Sequence, residues 1–600
     1  MAIMPKLPSS RPDEARVDVI TASIIQGALE NIAVEMGLKL MRMAYSSIIR
    51  ESEDFGAALC DARARQLCEC SLSTPLQSGP IPGYIRGILA LLSERGQSIE
   101  PGDVIIHNDP YYGASHSPDI GICVPVFSGP QLVAFSMTTA HHLDIGSSQP
   151  GTVGNAECVD TCAEGLQLRA LKVYEGGRRN EMLWQLLRDN VRVPDLVLGD
   201  LEAQVAAARI GAARYSELLL RYGEAVISAA VDDLFDRSER LMRAQIGKIP
   251  DGTYSAVGHL DGLLGRDDPR LQLLPIKVSL TVAGEEMTVD LEGTARQLDH
   301  YSLNMPFVGT VDVAIWLALR SVLLDSERFG KIPQNDGLYR AITIRAPKGS
   351  LANPIYPAPT MSRACAGNIV ADTVVHALAP VLPEQVCAGI AGVKAVVFSG
   401  TSAEKPWVHM EIFEGSYGGR FGKDGMDSVD TLYANTRNNP VEDIEAHAPL
   451  RVTRYELRAP DACAAGQWRG GANSIKEIEL LAPGFIAIEG DGHAHKAWGF
   501  QGGEAGLLGR VVLRRASGET VDLPSMTSAV PVAKGDRLTV IGGTGGGFGP
   551  ASRRDPAAVL QDVLDELVTP ESALAAYRVA LTPETVDERQ TRALRTGESA

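Results

Sequence analysis

The chain has 600 residues, which corresponds to roughly four domains of typical size or to one large enzyme body, so a small module is excluded. Hydrophobic residues make up 45% and charged residues 22%, as in a globular protein with a sizeable core. Lys+Arg 56 against Asp+Glu 74 gives a formal net charge of −18, which repels nucleic-acid phosphates and anionic lipids, and we expect neither as a partner.

The sequence predicts a cytoplasmic protein without a membrane span. No run reaches the ~18 consecutive apolar residues that a span requires. The segment 1–19 carries Lys, Arg, Asp and Glu instead of a basic patch followed by an apolar run. Nine scattered cysteines differ from a disulfide scaffold and fit a reducing compartment.

The first 180 residues alternate predicted helices with short predicted strands. Apolar residues recur at steps of three and four over 17–50, which predicts an amphipathic helix, and a second helix is predicted over 84–92. Apolar runs between turn residues predict four strands, over 55–61, 103–107, 120–127 and 131–140. The last of these strands runs directly into His141 and His142.

The residue pattern changes three times in the rest of the chain. Residues 181–248 show Leu, Ala, Arg and Glu at helical spacing and predict two or three helices with a break at Val193-Pro194, which we interpret as a helical arm. Strand patterns return from 249, with helices over 311–324 and 367–378. Residues 383–550 are rich in glycine and short strands. After Pro550 the sequence predicts a helix, a turn and a second helix.

These elements predict the α+β fold class, as a large multi-layer body of mixed sheets with a helical insertion and a helical C-terminal tail. We divide the chain into an N-terminal α+β region with the candidate metal site, a helical arm, a second α+β region, a glycine-rich mostly β region and a tail. Their bounds are 1–180, 181–248, 249–382, 383–550 and 551–600.

The densest group of metal-ligand residues lies in HNDPYYGASHSPDI (107–120) and AHHLDIG (140–146). His116 and Asp119 stand three apart on a Gly/Ser/Pro loop, and His141 ends the next predicted strand. Imidazole nitrogen and carboxylate oxygen are ligands for divalent metals such as zinc and manganese. The alternative is that these histidines only satisfy buried loop backbone, and spacing alone does not decide between the two.

His141 and His142 leave an extended segment on opposite faces, so only one of them can reach a shared ion. We assign His141 as the ligand and place His142, Asp144 and Asp109 in a supporting shell. Asp144 is a candidate acceptor for the second ring nitrogen of His141, because a ligating imidazole needs that N–H fixed. The alternative is that Asp144 caps the LDIG turn while His142 packs beside it.

Two further features have a structural and a functional interpretation. Asp54 in RESEDF precedes a strand and offers a second carboxylate, although its position alone favours a turn or helix-end role. The run GGTGGGFGP (542–550) suggests a phosphate loop, yet it lacks the GxxxxGK[ST] lysine and hydroxyl and favours a tight structural turn. We therefore predict that this chain does not bind ATP.

The sequence resembles the hydantoinase B/oxoprolinase family, the partner subunits of ATP-dependent hydantoin and lactam hydrolases, and the related subunits of acetone and acetophenone carboxylases. The resemblance is carried by motifs in family order along nearly the whole chain. They are SIIRESEDFGAALCD (47–61), HNDPYYGASHSPDI (107–120), HHLDIG (141–146), PAPTMSRACAG (357–367), the segment 415–452, WRGGAN (468–473), GGTGGGFG (542–549) and the tail segment 554–577.

The resemblance implies one divalent ion, manganese or zinc, on His116, Asp119 and His141 with Asp54 as fourth ligand. It also implies a hydantoinase A-like partner subunit that binds Mg-ATP and activates the substrate oxygen by phosphorylation, while this chain completes the reaction at its metal. Two departures stand out: the usual GGTH reads Gly-Ala-Ser-His at 113–116, and an Arg expected shortly before Trp-Gly is replaced by histidines at 493 and 495.

Three functions follow from the residues and the resemblance. The first is the metal-dependent subunit of an ATP-dependent cyclic-amide hydrolase, acting on hydantoins, 5-oxoproline or lactams within a hetero-oligomer. The second is a subunit of an ATP-dependent ketone carboxylase, and the third is a non-catalytic scaffold. Clustered His and Asp residues favour an enzyme over a scaffold, and chain length favours the hydrolase.

Overall fold

The computed structural model describes residues 17–154, 156–330 and 332–596, together with the backbone of Ala2–Ile3. Helices are combined with several open sheets, which confirms the predicted α+β class. Most of the segment 1–19, on which the expectation about targeting depends, lies outside these residues. The predicted domain boundaries remain predictions.

The strands in chain order are β1 Ala2–Ile3, β2 Phe55–Asp61, β3 Gln66–Glu69, β4 Val104–His107, β5 Asp119–Ser128, β6 Gln131–His141, β7 Leu171–Glu175, β8 Arg178–Arg179, β9 Gly252–Gly262, β10 Gln272–Ala283, β11 Glu286–Asp290, β12 Ile342–Ala346, β13 Lys394–Ser402, β14 Lys405–Phe413, β15 Leu450–Leu457, β16 Ser474–Leu480, β17 Gly484–Glu489, β18 Arg510–Arg514, β19 Thr520–Leu523, β20 Thr527–Val532 and β21 Arg537–Ile541.

The α-helices are α1 Val19–Met43, α2 Ser47–Arg50, α3 Pro75–Ser78, α4 Ile81–Glu94, α5 Glu181–Asp189, α6 Pro194–Tyr222, α7 Glu224–Ile246, α8 Asp312–Leu323, α9 Ser326–Phe329, α10 Ala364–Leu378, α11 Val441–His447, α12 Pro556–Leu564, α13 Pro570–Ala575 and α14 Glu588–Thr596. The predicted helix over 17–50 is thus two helices, and the break predicted at Val193-Pro194 separates α5 from α6.

The first sheet carries the candidate site. Its order is β3-β2-β6-β5-β4-β7-β8, and every pair is antiparallel. Side chains of β2 alternate between two apolar layers, because Ala57 and Leu59 pack with α1 and α6 while Ala58 and Cys60 pack with α4. A sheet covered on both faces explains why these strands appear in the sequence as continuous apolar runs.

The helical insertion is not an arm. Helix α6 lies on α1, β5 and β6 and forms a layer of the body. Small residues at steps of four, Ala203, Ala207 and Gly211, are buried on this face, and a Cβ at Gly211 would overlap Met36 and Ser136. This close approach of helix and sheet requires small side chains at these positions, whereas Leu198, Leu201 and Val205 fill the buried surface of α6 elsewhere.

Helix α1 is long and apolar enough to cross a membrane by length and composition, with a mean hydropathy of 1.2 over 18 residues. A core helix passes the same test. Its residues Ile25, Leu29, Met36 and Leu40 are buried in the apolar cluster shared with α6 and the first sheet. The packing of α1 is therefore that of a core helix.

The second sheet, β1-β12-β11-β10-β9, packs against α10, and α8 packs on α10. The remaining two sheets, β14-β13-β17-β20 and β15-β16-β21-β18-β19, share one apolar core. They agree with the prediction of a mostly β region between 383 and 550. Arg363, just before α10, contacts Asp119 where β5 begins, and the end of β17 is joined to the start of α10 by Glu489 and Ala364.

The glycine run at 542–550 is a packing motif. The backbone N–H groups of Gly546, Gly547 and Phe548 donate to the carbonyls of Gly389, Glu504 and Trp468. A Cβ at Gly546 would overlap the Trp498 carbonyl. These N–H groups are engaged within the protein, which supports a structural role over a phosphate loop.

We predict that Gly546→Ala lowers the free energy of unfolding by about 1–3 kcal/mol, because the added methyl group meets backbone that cannot yield. The control is Gly392→Ala, where an added Cβ has open space. Urea denaturation of both variants tests the prediction, and equal midpoints would contradict it.

Candidate metal centre

The three predicted ligands meet at one end of the first sheet. Asp119 is the first residue of β5 and pairs directly with His141, the last residue of β6. His116 lies three residues earlier, on the loop that leads into β5. One ligand atom from each residue lies within 4.8 Å of the others. Strand register and a short loop are thus enough to bring the three side chains together.

The carboxylate of Asp119 is the hub of the centre and is completely buried. Its Oδ1 lies 2.9 Å from His116 Nε2 and 3.1 Å from His141 Nδ1, and it accepts a 2.8 Å hydrogen bond from Gln77. Its Oδ2 accepts from the Ser115 hydroxyl at 2.6 Å and from Arg363 Nη2 at 2.7 Å. Burial opposes ionisation, but the hydrogen bond with His141 and the charge of Arg363 lower the pKa of Asp119.

The far side of each imidazole is held by a separate partner. His116 Nδ1 lies 2.6 Å from the Met361 carbonyl, and His141 Nε2 lies 2.8 Å from the Thr152 hydroxyl. Burial lowers the pKa of His116 to about 4, so its ring is neutral. The neutral ring donates from Nδ1 to the carbonyl, which leaves a lone pair on Nε2.

That lone pair on His116 Nε2 points into the centre without a hydrogen-bond partner. It lies 2.9 Å from the ionised Asp119 Oδ1, a pairing of two acceptors that is unfavourable unless a cation sits between them. Two nitrogens and one carboxylate oxygen are also the donor set that zinc and manganese accept. The residues present therefore fit a divalent ion.

Asp54 lies beside the three ligands but outside the group whose ligand atoms converge. Its carbonyl accepts from the His141 N–H, and its side chain accepts from the Thr74 hydroxyl at 3.2 Å. Burial raises the pKa of Asp54 to about 6; the charge of His141 lowers it and that of Asp119 raises it. The carboxylate is near enough to act on the centre electrostatically, and its role as fourth ligand stays a prediction.

A family model described as Hydantoinase B/oxoprolinase matches residues 18–551. The chain belongs to the hydantoinase B/oxoprolinase family. It is 54% identical over 585 residues to a putative D-/L-hydantoinase subunit of Pseudomonas sp. (strain NS671), covering 97% of this chain and 99% of that one. It is 29% identical over 582 residues to the beta subunit of the caprolactamase of Pseudomonas jessenii, covering 94% and 96%.

Two solved structures share the fold of this hydantoinase B-family chain. The ATP-dependent caprolactamase of Pseudomonas jessenii matches with a TM-score of 0.82 and 28% identity, covering 97% of this chain and all of that one. A nucleotide-free acetone carboxylase matches with a TM-score of 0.84 at 18% identity, covering 96% and 82%. The second likeness concerns the fold alone.

Sequence reasoning missed the residues that support the family motif. Arg363 precedes α10 and is 1% exposed, yet PAPTMSRACAG shows only that a cation stands there. Gln77 on α3, Ser115 and Thr152 also contact the ligands. A buried arginine requires an anionic partner. The sequence shows the arginine but does not show which carboxylate it contacts.

The supporting shell differs from the prediction for Asp144. Its carboxylate accepts from Gly146 and from the backbone and side chain of Arg192. The two ring nitrogens of His141 contact Asp119 and Thr152 instead. Asp144 caps the LDIG turn, which was the alternative. The cause is Arg192, a cation from the segment between α5 and α6 that local sequence does not reveal.

Within the described part of the chain, the other two predicted shell residues make no hydrogen bond to the ring of a ligand. His142 faces away from His141 and bonds Gln204 on α6 at 2.9 Å, and Gln204 in turn donates to the Ile120 carbonyl beside Asp119. Asp109 caps the turn at Pro110–Tyr112 and pairs with Arg169 at 2.6 Å. His142 thus supports backbone next to Asp119 through Gln204, whereas Asp109 stabilises the turn at Pro110–Tyr112.

The histidines that replace the expected arginine lie elsewhere. The backbone N–H groups of His493 and Ala494 donate to Asp261, and the ring of His495 stacks on that of His259 at 4.6 Å. Arg363 is the cation that contacts Asp119. The loss of an arginine before Trp-Gly therefore leaves Asp119 with its cation.

We predict that Arg363→Met lowers the free energy of unfolding by about 3–5 kcal/mol, because it leaves the buried Asp119 without its arginine partner. Urea denaturation measures the change. The control, Arg510→Met, removes an exposed pair with Asp522 and leaves stability nearly unchanged. Equal destabilisation by both substitutions would show that the buried pair carries no special weight.

Proposed function

We propose that this chain is the subunit of an ATP-dependent cyclic-amide hydrolase that completes ring opening at a divalent-metal centre. The observation that carries the proposal is the convergence of the His116 Nε2 lone pair on the ionised Asp119 Oδ1 among buried side chains, which a cation resolves. Family membership supplies the reaction class, since relatives carry the names hydantoinase, caprolactamase and 5-oxoprolinase.

His116, Asp119 and His141 would hold one manganese or zinc ion, with Asp54 as the fourth ligand. When bound, such an ion polarises a carbonyl and lowers the pKa of water towards ~7. The protein's own part is to fix the donors: Met361 and Thr152 set the orientation of the two rings, while Arg363 and Ser115 occupy Asp119 Oδ2. Asp119 Oδ1 is thereby directed at the centre.

The ATP-dependent step belongs to a partner in this proposal. Two of the relatives are named as subunits, which supports assembly with a second chain. We propose a hydantoinase A-like subunit that binds Mg-ATP and phosphorylates the amide oxygen, in a cytoplasmic hetero-oligomer. The cysteines of the described residues form no disulfide, which supports a reducing compartment.

The alternative reaction, ATP-dependent carboxylation of a ketone, has weaker support. The acetone carboxylase shares the fold at 18% identity, whereas the hydantoinase subunit shares 54% identity over nearly the whole chain. The same ligand set serves both reactions, because a divalent ion can orient a ketone as well as an amide carbonyl. The hydrolase and the carboxylase are therefore distinguished by which substrate the complex turns over and not by the ligand set.

Metal content tests the centre directly. We predict about one divalent ion per wild-type chain and loss of that ion in His116→Ala and His141→Gln, because each removes a donor from a three-residue cluster. His142→Gln is the matched control, since its ring faces Gln204 and not the centre. Metal analysis of the purified chains measures the stoichiometry. A wild-type content retained in His116→Ala, or lost only in His142→Gln, would refute the ligand assignment.

Activity tests the reaction class. We predict that the chain co-expressed with its partner opens hydantoins, 5-oxoproline or lactams only when ATP is present, and that the isolated chain neither binds nor hydrolyses ATP. Product analysis with each ring, and with acetone or acetophenone plus bicarbonate, gives the answer. Carboxylated ketone without ring opening would replace the hydrolase by the carboxylase, and saturable Mg-ATP binding by the isolated chain would contradict the division of labour.

A further inference from the structure

Glu489 is a buried carboxyl group whose position the metal centre does not explain. It ends strand β17, pairs with Ala395 of β13, and is 1% exposed. Its Oε1 accepts hydrogen bonds from the backbone N–H groups of Ala364 at 2.8 Å and Cys365 at 3.3 Å, the first residues of α10. Those bonds satisfy helix N–H groups that have no partner within the helix.

The second oxygen, Oε2, is buried without a hydrogen-bond partner. An unpaired polar atom in a protein interior costs roughly 1–3 kcal/mol, and more where it carries charge. Glu489 is thus held through one oxygen, while the other is free to bind a proton.

Two chain segments place Glu489 beside the metal centre. Ala364, which donates to Glu489, directly follows Arg363, whose guanidinium reaches Asp119. On the other side, Gly154 packs against the backbone of Ile488 and lies two residues from Thr152, the partner of His141. The carboxyl group is thus bracketed by two segments that each touch a ligand.

The charges around Glu489 come from this centre. Burial raises its pKa to about 7, and the α10 N–H groups, Arg363 and His141 lower it. The Cys365 thiol beside it is kept protonated by burial and by the acidic groups near it, which raise its pKa. A carboxyl group that titrates near neutral pH can both accept and return a proton during turnover.

Other buried carboxyl groups do not share this arrangement. Glu164 uses both oxygens, on the N–H groups of Thr360 and Met361 and on the Ser117 hydroxyl. Glu414 also has unpartnered oxygens, but the charged groups that act on it are Asp430, Glu411 and Lys476. Glu489 combines an open oxygen with proximity to the metal centre.

We propose that Glu489 is the proton-transfer group of the ring-opening reaction, a role that rests on the proposed hydrolase function. Water adds to the carbon of the O-phosphorylated amide: its oxygen bonds to carbon, the C=N π pair moves to nitrogen, and one water proton passes through Oε2 to that nitrogen. In the ring-opening step the O–H bond pair of the hydroxyl forms C=O, the C–N pair stays on nitrogen, and the hydroxyl proton passes through Oε2 to that nitrogen, which leaves as the amine. A second water then releases phosphate from the acyl phosphate.

The test is Glu489→Gln in the co-expressed complex, with whichever cyclic amide the wild type opens. The amide oxygen of Gln still accepts from Ala364 and Cys365, so the start of α10 is kept while the proton carrier is lost. We expect kcat to fall by about 10²- to 10⁴-fold with little change in KM. Metal content is expected to be unchanged, and the limb of the pH–rate profile near 7 to disappear. ADP formed per ring opened is expected to rise.

Two further variants separate a chemical role from a structural one. Glu489→Asp retains a carboxyl group and is expected to keep part of the activity together with the pH limb. Glu414→Gln, a buried carboxyl change away from the centre, is expected to leave both unchanged.

The outcomes distinguish this proposal from the proposed hydrolase function on which it rests. A wild-type complex that opens no cyclic amide refutes the hydrolase and the role of Glu489 together. An active complex in which Glu489→Gln keeps its kcat and pH limb refutes only the role of Glu489. Loss of metal in Glu489→Gln, with kcat restored by added metal, would also refute proton transfer, because the residue would then only support the ligands.

Discussion

The centre depends on keeping the buried carboxylate of Asp119 ionised. An unpaired charge in a protein interior costs several kcal/mol, so its presence dictates what surrounds it. Donors arrive from separate parts of the fold: Gln77 from α3, Ser115 from the loop before β5, and Arg363 from the start of α10. The last of these joins the first sheet to a helix that packs on the second sheet. One carboxylate therefore adds a polar link between the first sheet and the helix on the second sheet.

Local sequence pattern predicted the parts of the site that lie close together in the chain. The strands that become β5 and β6, the loop with His116 and the strand end at His141 are all visible as short-range patterns. Once the hairpin register pairs Asp119 with His141, the three ligands converge without help from distant residues. The ligand triad was accessible to sequence reasoning for this reason.

The contacts that were not predicted join residues far apart in sequence. Arg363 meets Asp119 across 244 positions, and Ala364 meets Glu489 across 125. Periodicity carries no information about such pairs. The same limit explains Asp144, whose local turn was foreseen but whose partner Arg192 was not. The packing of α6 was not predicted either. The small residues that fit this helix to the sheet contribute little to the hydrophobic pattern of the sequence.

The start of α10 determines which oxygens of the Asp119 and Glu489 carboxyl groups are engaged in hydrogen bonds. Arg363 pairs with Asp119 Oδ2, which leaves Oδ1 to face the two imidazoles. The next two residues donate their N–H groups to Glu489 Oε1 and leave Oε2 open. A single helix terminus thus sets which oxygen of each carboxyl group is engaged: Asp119 Oδ1 is left to the imidazoles, and Glu489 Oε2 is left without a hydrogen-bond partner. Because both choices follow from one rigid backbone segment, a shift of α10 would disturb the two carboxyl groups together.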